Sequence, residues 1–102
     1  MQRGLVIGVD CGTSATKAIL FDELGRIKAE GRSSSRLLHP RPGWVEQKAE
    51  WWWQAFREAV GSLLKQCSAP QDIKGIAITH QRMSYVPVDA KINPLRNAIL
   101  WN

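Results

Sequence analysis

The run Leu5-Val6-Ile7-Gly8-Val9-Asp10, followed at once by Cys11-Gly12-Thr13-Ser14, sets the strongest limit on the fold of this chain. A continuous apolar segment of strand length, ending in a carboxylate, suits a strand buried on both faces. The turn residues after it lead into a second β-rich run, Thr16 to Phe21. Asp22-Glu23-Leu24-Gly25 then turns the chain again, with Gly placed to accept a positive φ, into a third run from Ile27 to Gly31. Three strands in succession are expected.

Ser33 to Gln47 holds three serines, two prolines and a glycine without periodicity, and is expected to be a surface loop. From Glu50 to Cys67 the apolar residues Trp52, Trp53, Phe56, Ala59, Val60, Leu63, Leu64 and Cys67 recur at the three-four spacing of one helical face. Glu50 suits the helix amino end, whereas Lys48 is a poor residue where a cap is wanted. Ile73 to Thr79 reads as a further strand, with Ile76 and Ile78 on one face and Ala77 on the other. Tyr85 to Val88 and Asn97 to Trp101 are expected to form a hairpin across a turn at Asp89 to Pro94. The order strand, strand, strand, helix, strand predicts an α/β fold, a mixed sheet with one covering helix. One helix is little cover for a sheet of four to six strands, so residues 1–102 are expected to begin a longer polypeptide and to form an incomplete lobe.

With 102 residues, 44% of them hydrophobic, the chain has the size of one globular domain or part of one. No apolar run approaches the roughly 20 residues that cross a bilayer, so no membrane partner is expected. Arg3 precedes a short β-like run rather than a signal-peptide core. Cys11 and Cys67 have neither zinc-site nor disulfide-framework spacing, which predicts free thiols and a cytoplasmic location. Fourteen Lys and Arg against nine Asp and Glu give a net charge of +5. These cations are spread along the chain without aromatic interleaving, which argues against a nucleic-acid surface.

The turn between the first two strands carries the chemistry. Gly12 lets the backbone approach a ligand, so that successive N–H groups can point at one anion. Thr13, Ser14 and Thr16 offer hydroxyl donors and Lys17 a positive charge. Asp10 can hold Mg²⁺, directly or through its waters, beside phosphate oxygens. The same residues also suit a plain polar hairpin turn, and residue types alone leave both readings open. Neither the P-loop pattern nor the dinucleotide pattern G-x-G-x-x-G is present. Trp51, Trp52 and Trp53 could stack on a sugar, but Trp52 and Trp53 are expected to join Phe56 in the core. Trp51 is expected to be exposed or at a subunit contact, which leaves a homo-oligomer open.

The string G-V-D-C-G-T-S-A-T-K-A-I-L-F-D resembles the first phosphate motif of the FGGY carbohydrate kinases, the group that includes glycerol kinase, xylulokinase and gluconokinase. Three further strings agree in order: H-P-R-P-G-W-V-E-Q-K-A-E-W-W from His39, I-K-G-I-A-I-T-H-Q-R from Ile73, and P-L-R-N-A-I-L-W from Pro94. The resemblance implies an actin-like, ribonuclease-H-like lobe, of which residues 1–102 are the N-terminal portion, with a second lobe elsewhere. It implies ATP and Mg²⁺ as cofactors and transfer of the γ-phosphoryl group to a sugar or polyol hydroxyl. By position Asp10 resembles the family's magnesium-side aspartate, Gly12, Thr13 and Ser14 its phosphate turn, and Lys17 a phosphate-neutralising cation. Gln81 and Arg82 resemble the glycerol-kinase-like substrate loop, where Arg donates to polyol hydroxyls. Met83 stands where that subgroup usually has Glu, which puts glycerol itself in doubt, and Ser84 departs from the xylulokinase-like Met-His pair. Trp101 matches a Trp against the carbon face of the substrate, and a core Trp at a strand end is an equal reading. His80 is expected to be structural. The catalytic aspartate is expected downstream, so the 102 residues alone are expected to be inactive. A stand-alone phosphate- or partner-binding domain, and a chaperone-like ATPase of the same fold, are the alternatives.

Overall fold

The computed structural model describes residues 4–102; Arg3 lies outside them. Three strands, β1 (Leu5–Cys11), β2 (Ala15–Phe21) and β3 (Ile27–Ser34), follow one another. They form an antiparallel meander, with Asp10 opposite Lys17 and Ala18 opposite Gly31. After the helix α1 (Ala49–Leu64) and a single 3₁₀ turn at Pro70–Asp72, strand β5 (Ile73–His80) returns beside β1 and parallel to it. The sheet order is therefore β3-β2-β1-β5, a mixed sheet with one helix on one face. Two short strands, β4 (Glu46–Gln47) and β6 (Ala98–Ile99), pair antiparallel in a second small sheet.

Side-chain alternation decides which face α1 covers. Leu5, Ile7 and Val9 of β1, Ala18 and Leu20 of β2, and Ala29 of β3 are buried on the helix side. They meet Ala59 and Leu63 of α1, with Phe56 and Val60 packed at the margin. Burial of this kind stabilises by about 25 cal/mol per Å² of apolar surface removed from water. At Gly31 the contact is closest: a Cβ there would collide with the backbone carbonyl oxygen of Ala59. No residue but glycine fits this crossing without moving the helix. Beside it the Ser33 hydroxyl donates to Glu58 at 2.6 Å, closing the end of the interface.

The helix lies over β2 and β3 and hardly over β1, which leaves β5 with little cover. Ile76 and Ile78 do share one face, as alternation predicts, yet each is about half exposed. The structure also moves several expected features. Strand β3 runs on to Ser34, and Glu46–Gln47 form a strand inside the segment read as loop. The helix starts at Ala49 and ends at Leu64, and Lys48 makes no side-chain cap. The hairpin expected at 85–101 is reduced to single bridges, Tyr85 to Ile99 and Val88 to Pro94, while the other edge of β6 pairs with β4. Trp53 is 59% exposed, stacked on Phe56 rather than sunk in the core. Trp51 is instead half-buried beneath the Arg36 guanidinium, 4.2 Å from its ring centre.

Asp22 and Asp89 organise their turns by one device: each carboxylate accepts from the backbone N–H groups two and four residues onward. These bonds, that of Arg26 at Asp22 and that of Asn93 at Asp89 foremost, hold both carboxyls below the usual carboxylate range. Among the described residues no helix is long and apolar enough to cross a membrane.

The helix crossing yields a direct test. Gly31→Ala is expected to destabilise the protein by about 1–3 kcal/mol through overpacking, read as a lowered melting temperature. Gly75→Ala, where a Cβ would meet open space, should cost far less.

Candidate functional site

Because β1 and β5 run parallel, their carboxyl ends, Cys11 and His80, lie side by side. Loops leaving the carboxyl ends of neighbouring parallel strands form a crevice, the usual ligand position in sheets of this kind. The Gln81 N–H extends the ladder by donating to the Cys11 carbonyl at 3.2 Å, which brings the second loop against the first. A cavity of about 380 Å³ opens there, lined by Asp10, Gly12, Thr13, His80, Gln81, Arg82, Met83 and Trp101.

The turn Gly12–Ser14 is tight. The Gly12 N–H donates to the Ala15 carbonyl at 2.9 Å, and a Cβ on Gly12 would come within 2.9 Å of the same oxygen. This bond removes the Gly12 N–H from the set of anion donors that the sequence suggests. The Thr13 and Ser14 N–H groups meet no acceptor among the described residues. Two adjacent free N–H groups in a turn are an anion-binding arrangement. The Thr13 hydroxyl is engaged: it donates to Gln81 Oε1 at 3.2 Å and accepts from the Trp101 indole at 2.9 Å. Thr16 is buried on the helix side and does not reach the cavity.

The remaining predicted residues divide. Asp10 is exposed at the cavity wall, and no side chain pairs with its carboxylate among the described residues. Lys17, opposite Asp10 in the β1–β2 ladder, lies outside the cavity. It lines a neighbouring concavity of about 400 Å³ with Asp10, Gly8, Ile19, Phe21 and Thr79, so Asp10 stands where the two meet. Ser14 is exposed beside the turn and lines neither. Arg82 extends from the second loop without an acidic partner among the described residues. Met83 is 89% exposed and has φ of 56°, an unusual conformation for a non-glycine residue. Trp101 is half-exposed over the turn, which sets aside the core reading. Among the described residues His80 donates to no carboxylate; its Nδ1 lies 3.0 Å from the Gln81 carbonyl oxygen.

Among the described residues no three His, Cys, Asp or Glu side chains cluster as a metal cage. A single free carboxylate beside an anion turn suits Mg²⁺, which keeps waters and phosphate oxygens as most of its ligands.

Two further residues were not foreseen as part of the site. Gln47, fully buried, donates from Nε2 to the carbonyls of Thr13 and Arg36, both at 2.9 Å. Its Oε1 accepts from the Trp52 indole at 2.8 Å and from Gln81 Nε2 at 3.3 Å. Ser84 donates to Gln81 Oε1 at 3.1 Å and accepts from the Trp101 N–H. The neighbouring Glu46 is buried against Arg96 and Asn97. The available signal was the string G-W-V-E-Q as a motif, since its apolar pair followed by a polar pair has no strand or helix period.

Residues 5–102 match the model of the N-terminal domain of the FGGY family of carbohydrate kinases. The chain belongs to this family. It is 41% identical over 98 residues to the xylulose kinase of Escherichia coli K12, covering 96% of this chain and 20% of that protein. It is 38% identical over 103 aligned positions to the glycerol kinase of Ligilactobacillus salivarius, covering 99% of this chain and 20% of that protein. The crystal structure of a xyloylose kinase from Brucella ovis superimposes with a TM-score of 0.89 at 34% identity, over 96% of this chain and 21% of that one. The chain thus spans about a fifth of the length of the curated relatives it matches.

Cys11, beside the turn, is free and half-buried. Burial pushes its thiol up; the hydrogen bond with Thr16 opposes this, and the Asp10 charge adds the smallest push, also upward. The thiolate is the reactive form, so Cys11 is expected to alkylate with iodoacetamide more slowly than a free cysteine at neutral pH. Mass-spectrometric labelling should show its rate climbing at more alkaline pH than for the free amino acid.

Proposed function

We propose that this chain supplies the first phosphate turn and part of the acceptor pocket of an ATP-dependent kinase for a sugar or polyol. The observation that carries the reading is the single cavity joining Asp10, Gly12 and Thr13 to Gln81, Arg82, Met83 and Trp101. Phosphoryl transfer is mostly positioning and neutralisation of charge, so two ligands must be held side by side. In this reading the Thr13 and Ser14 N–H groups hold phosphate oxygens, Gly12 keeps the turn tight, and Lys17 adds positive charge along the approach. Asp10 holds Mg²⁺ directly or through its waters. MgATP held there would supply the γ-phosphoryl group: the acceptor oxygen would form the new P–O bond as the bond to ADP breaks, and the hydroxyl proton would pass to a base.

Arg82 and Gln81 are the acceptor's hydrogen-bonding groups. A guanidinium offers several donors in fixed directions, which suits adjacent hydroxyls. Trp101 and Met83 present apolar surface to the carbon face of the acceptor. Neither Asp22 nor Asp89 is a general base, since both are engaged in their own turns. The base is proposed to lie outside residues 1–102, as are the adenine pocket and the second phosphate loop. The 102 residues alone are therefore proposed to be inactive. The free state of both cysteines agrees with action in the cytoplasm.

The test is ADP formation by the full-length protein with MgATP and a panel of ketoses, polyols and aldonates. Turnover is expected to depend on one of these acceptors. Arg82→Ala should lower kcat/KM for that acceptor by about a hundredfold or more, with a smaller effect on nucleotide binding. Nucleotide turnover indifferent to every acceptor would overturn the reading.

A further inference from the structure

We infer that Gln47 is a positioning residue that locks the phosphate turn to the acceptor loop, so that the two halves of the site are set by one buried amide. The inference rests on the kinase reading for its catalytic consequence and on hydrogen-bond geometry for its structural one.

The hydrogen-bond directions follow from groups whose roles are fixed. Backbone carbonyls only accept and an indole N–H only donates. Gln47 Nε2 lies 2.9 Å from the Thr13 and Arg36 carbonyl oxygens, so the amide nitrogen must face them. Gln47 Oε1 lies 2.8 Å from the Trp52 indole nitrogen, so the amide oxygen must face it. Both amide protons are therefore spent. The oxygen has one lone pair left, and Gln81 Nε2 donates to it. That orients the Gln81 amide, whose oxygen then accepts from the Thr13 and Ser84 hydroxyls. The Thr13 hydroxyl in turn accepts the Trp101 indole. A single chain of donors and acceptors thus starts at α1, passes through Gln47 and Gln81, and ends on the residues that line the cavity.

Gln47 touches the turn twice, once directly at the Thr13 carbonyl and once through Gln81 at the Thr13 hydroxyl. Its own position is fixed by the β4–β6 ladder and by complete burial. A buried amide with all its hydrogen bonds made is rigid, and one missing partner is costly. Holding the Thr13 carbonyl orients the peptide that follows it, whose N–H belongs to Ser14. The free Ser14 N–H is thereby aimed by Gln47, although Gln47 does not line the cavity. The same amide fixes which way the Gln81 amide faces, and leaves its second Nε2 proton for the acceptor.

Two substitutions in the full-length protein test this. Gln47→Glu keeps the acceptor for Trp52 but sets a carboxylate against two carbonyls, and Gln47→Met fills the space without polar atoms. Both are expected to lower kcat by about tenfold or more while each KM stays within about threefold, because misplacement of bound reactants is read in kcat. Hydrogen–deuterium exchange should quicken in peptides covering 12–15 and 81–84 and stay unchanged in β3. Unaltered kcat, unaltered exchange of the two loops, or exchange that quickens equally throughout the sheet would each overturn the inference. If the wild-type protein phosphorylates no acceptor, the kinase reading fails and exchange alone decides the role of Gln47. If neither variant folds, Trp52→Phe, which removes the indole donor, decides on the same readouts, with loosening confined to the two loops expected.

Discussion

The close approach of α1 to β3 at Gly31 is the constraint on which the rest of the structure depends. With no Cβ at Gly31 and only a methyl group at Ala59, the helix backbone reaches the sheet itself. That fixes the height and direction of α1 over β2 and β3. From there the first turn of the helix presents the Trp52 indole to Gln47 at 2.8 Å. Gln47 then holds the Thr13 carbonyl, so an apolar packing contact at one end of the helix sets a backbone position at the other. A bulkier residue at position 31 would lift the helix and loosen this chain of contacts before it touched the cavity.

Two kinds of interaction share the work of building the site. The parallel pairing of β1 and β5 brings the carboxyl ends of both strands together, which places the loops to within a few ångströms of each other. Buried hydrogen bonds do the finer adjustment, since they are directional where hydrophobic contact is not. What faces the cavity, or flanks it in the case of Ser14, is left free: the Asp10 carboxylate, the Arg82 guanidinium and the Thr13 and Ser14 N–H groups carry no internal partner among the described residues. Groups left unsatisfied at the mouth of an ordered crevice are available to a ligand.

Much of the sheet was legible in the sequence because its signals are local. The run Leu5 to Asp10 is apolar throughout, β2 and the Asp22–Gly25 turn follow at hairpin spacing, and α1 announces itself by three-four periodicity. The residues brought to the cavity, from Asp10 to Trp101, were legible through motif strings rather than through periodicity. What could not be read depends on long-range pairing. Strands β4 and β6 have two residues each, too short for any period, and pair across about half the chain. Trp53 has the right helical spacing for burial, but α1 sits toward β3 and leaves that flank open. Lys17 is next to the turn in sequence, yet strand alternation turns it from the cavity toward the neighbouring concavity. Gln47 looked like the end of a loop, and only the folded chain shows four groups converging on its amide.

The central claim is that the turn after β1 binds phosphate through the backbone of Thr13 and Ser14. The most direct measurement is the amide resonances of these two residues in the full-length protein, selectively labelled with ¹⁵N at threonine and serine, as MgATP is added. Both amide protons are expected to move downfield on saturation, as N–H groups do when they gain an anionic acceptor. Amide resonances that stay in place while the protein binds nucleotide would contradict the account.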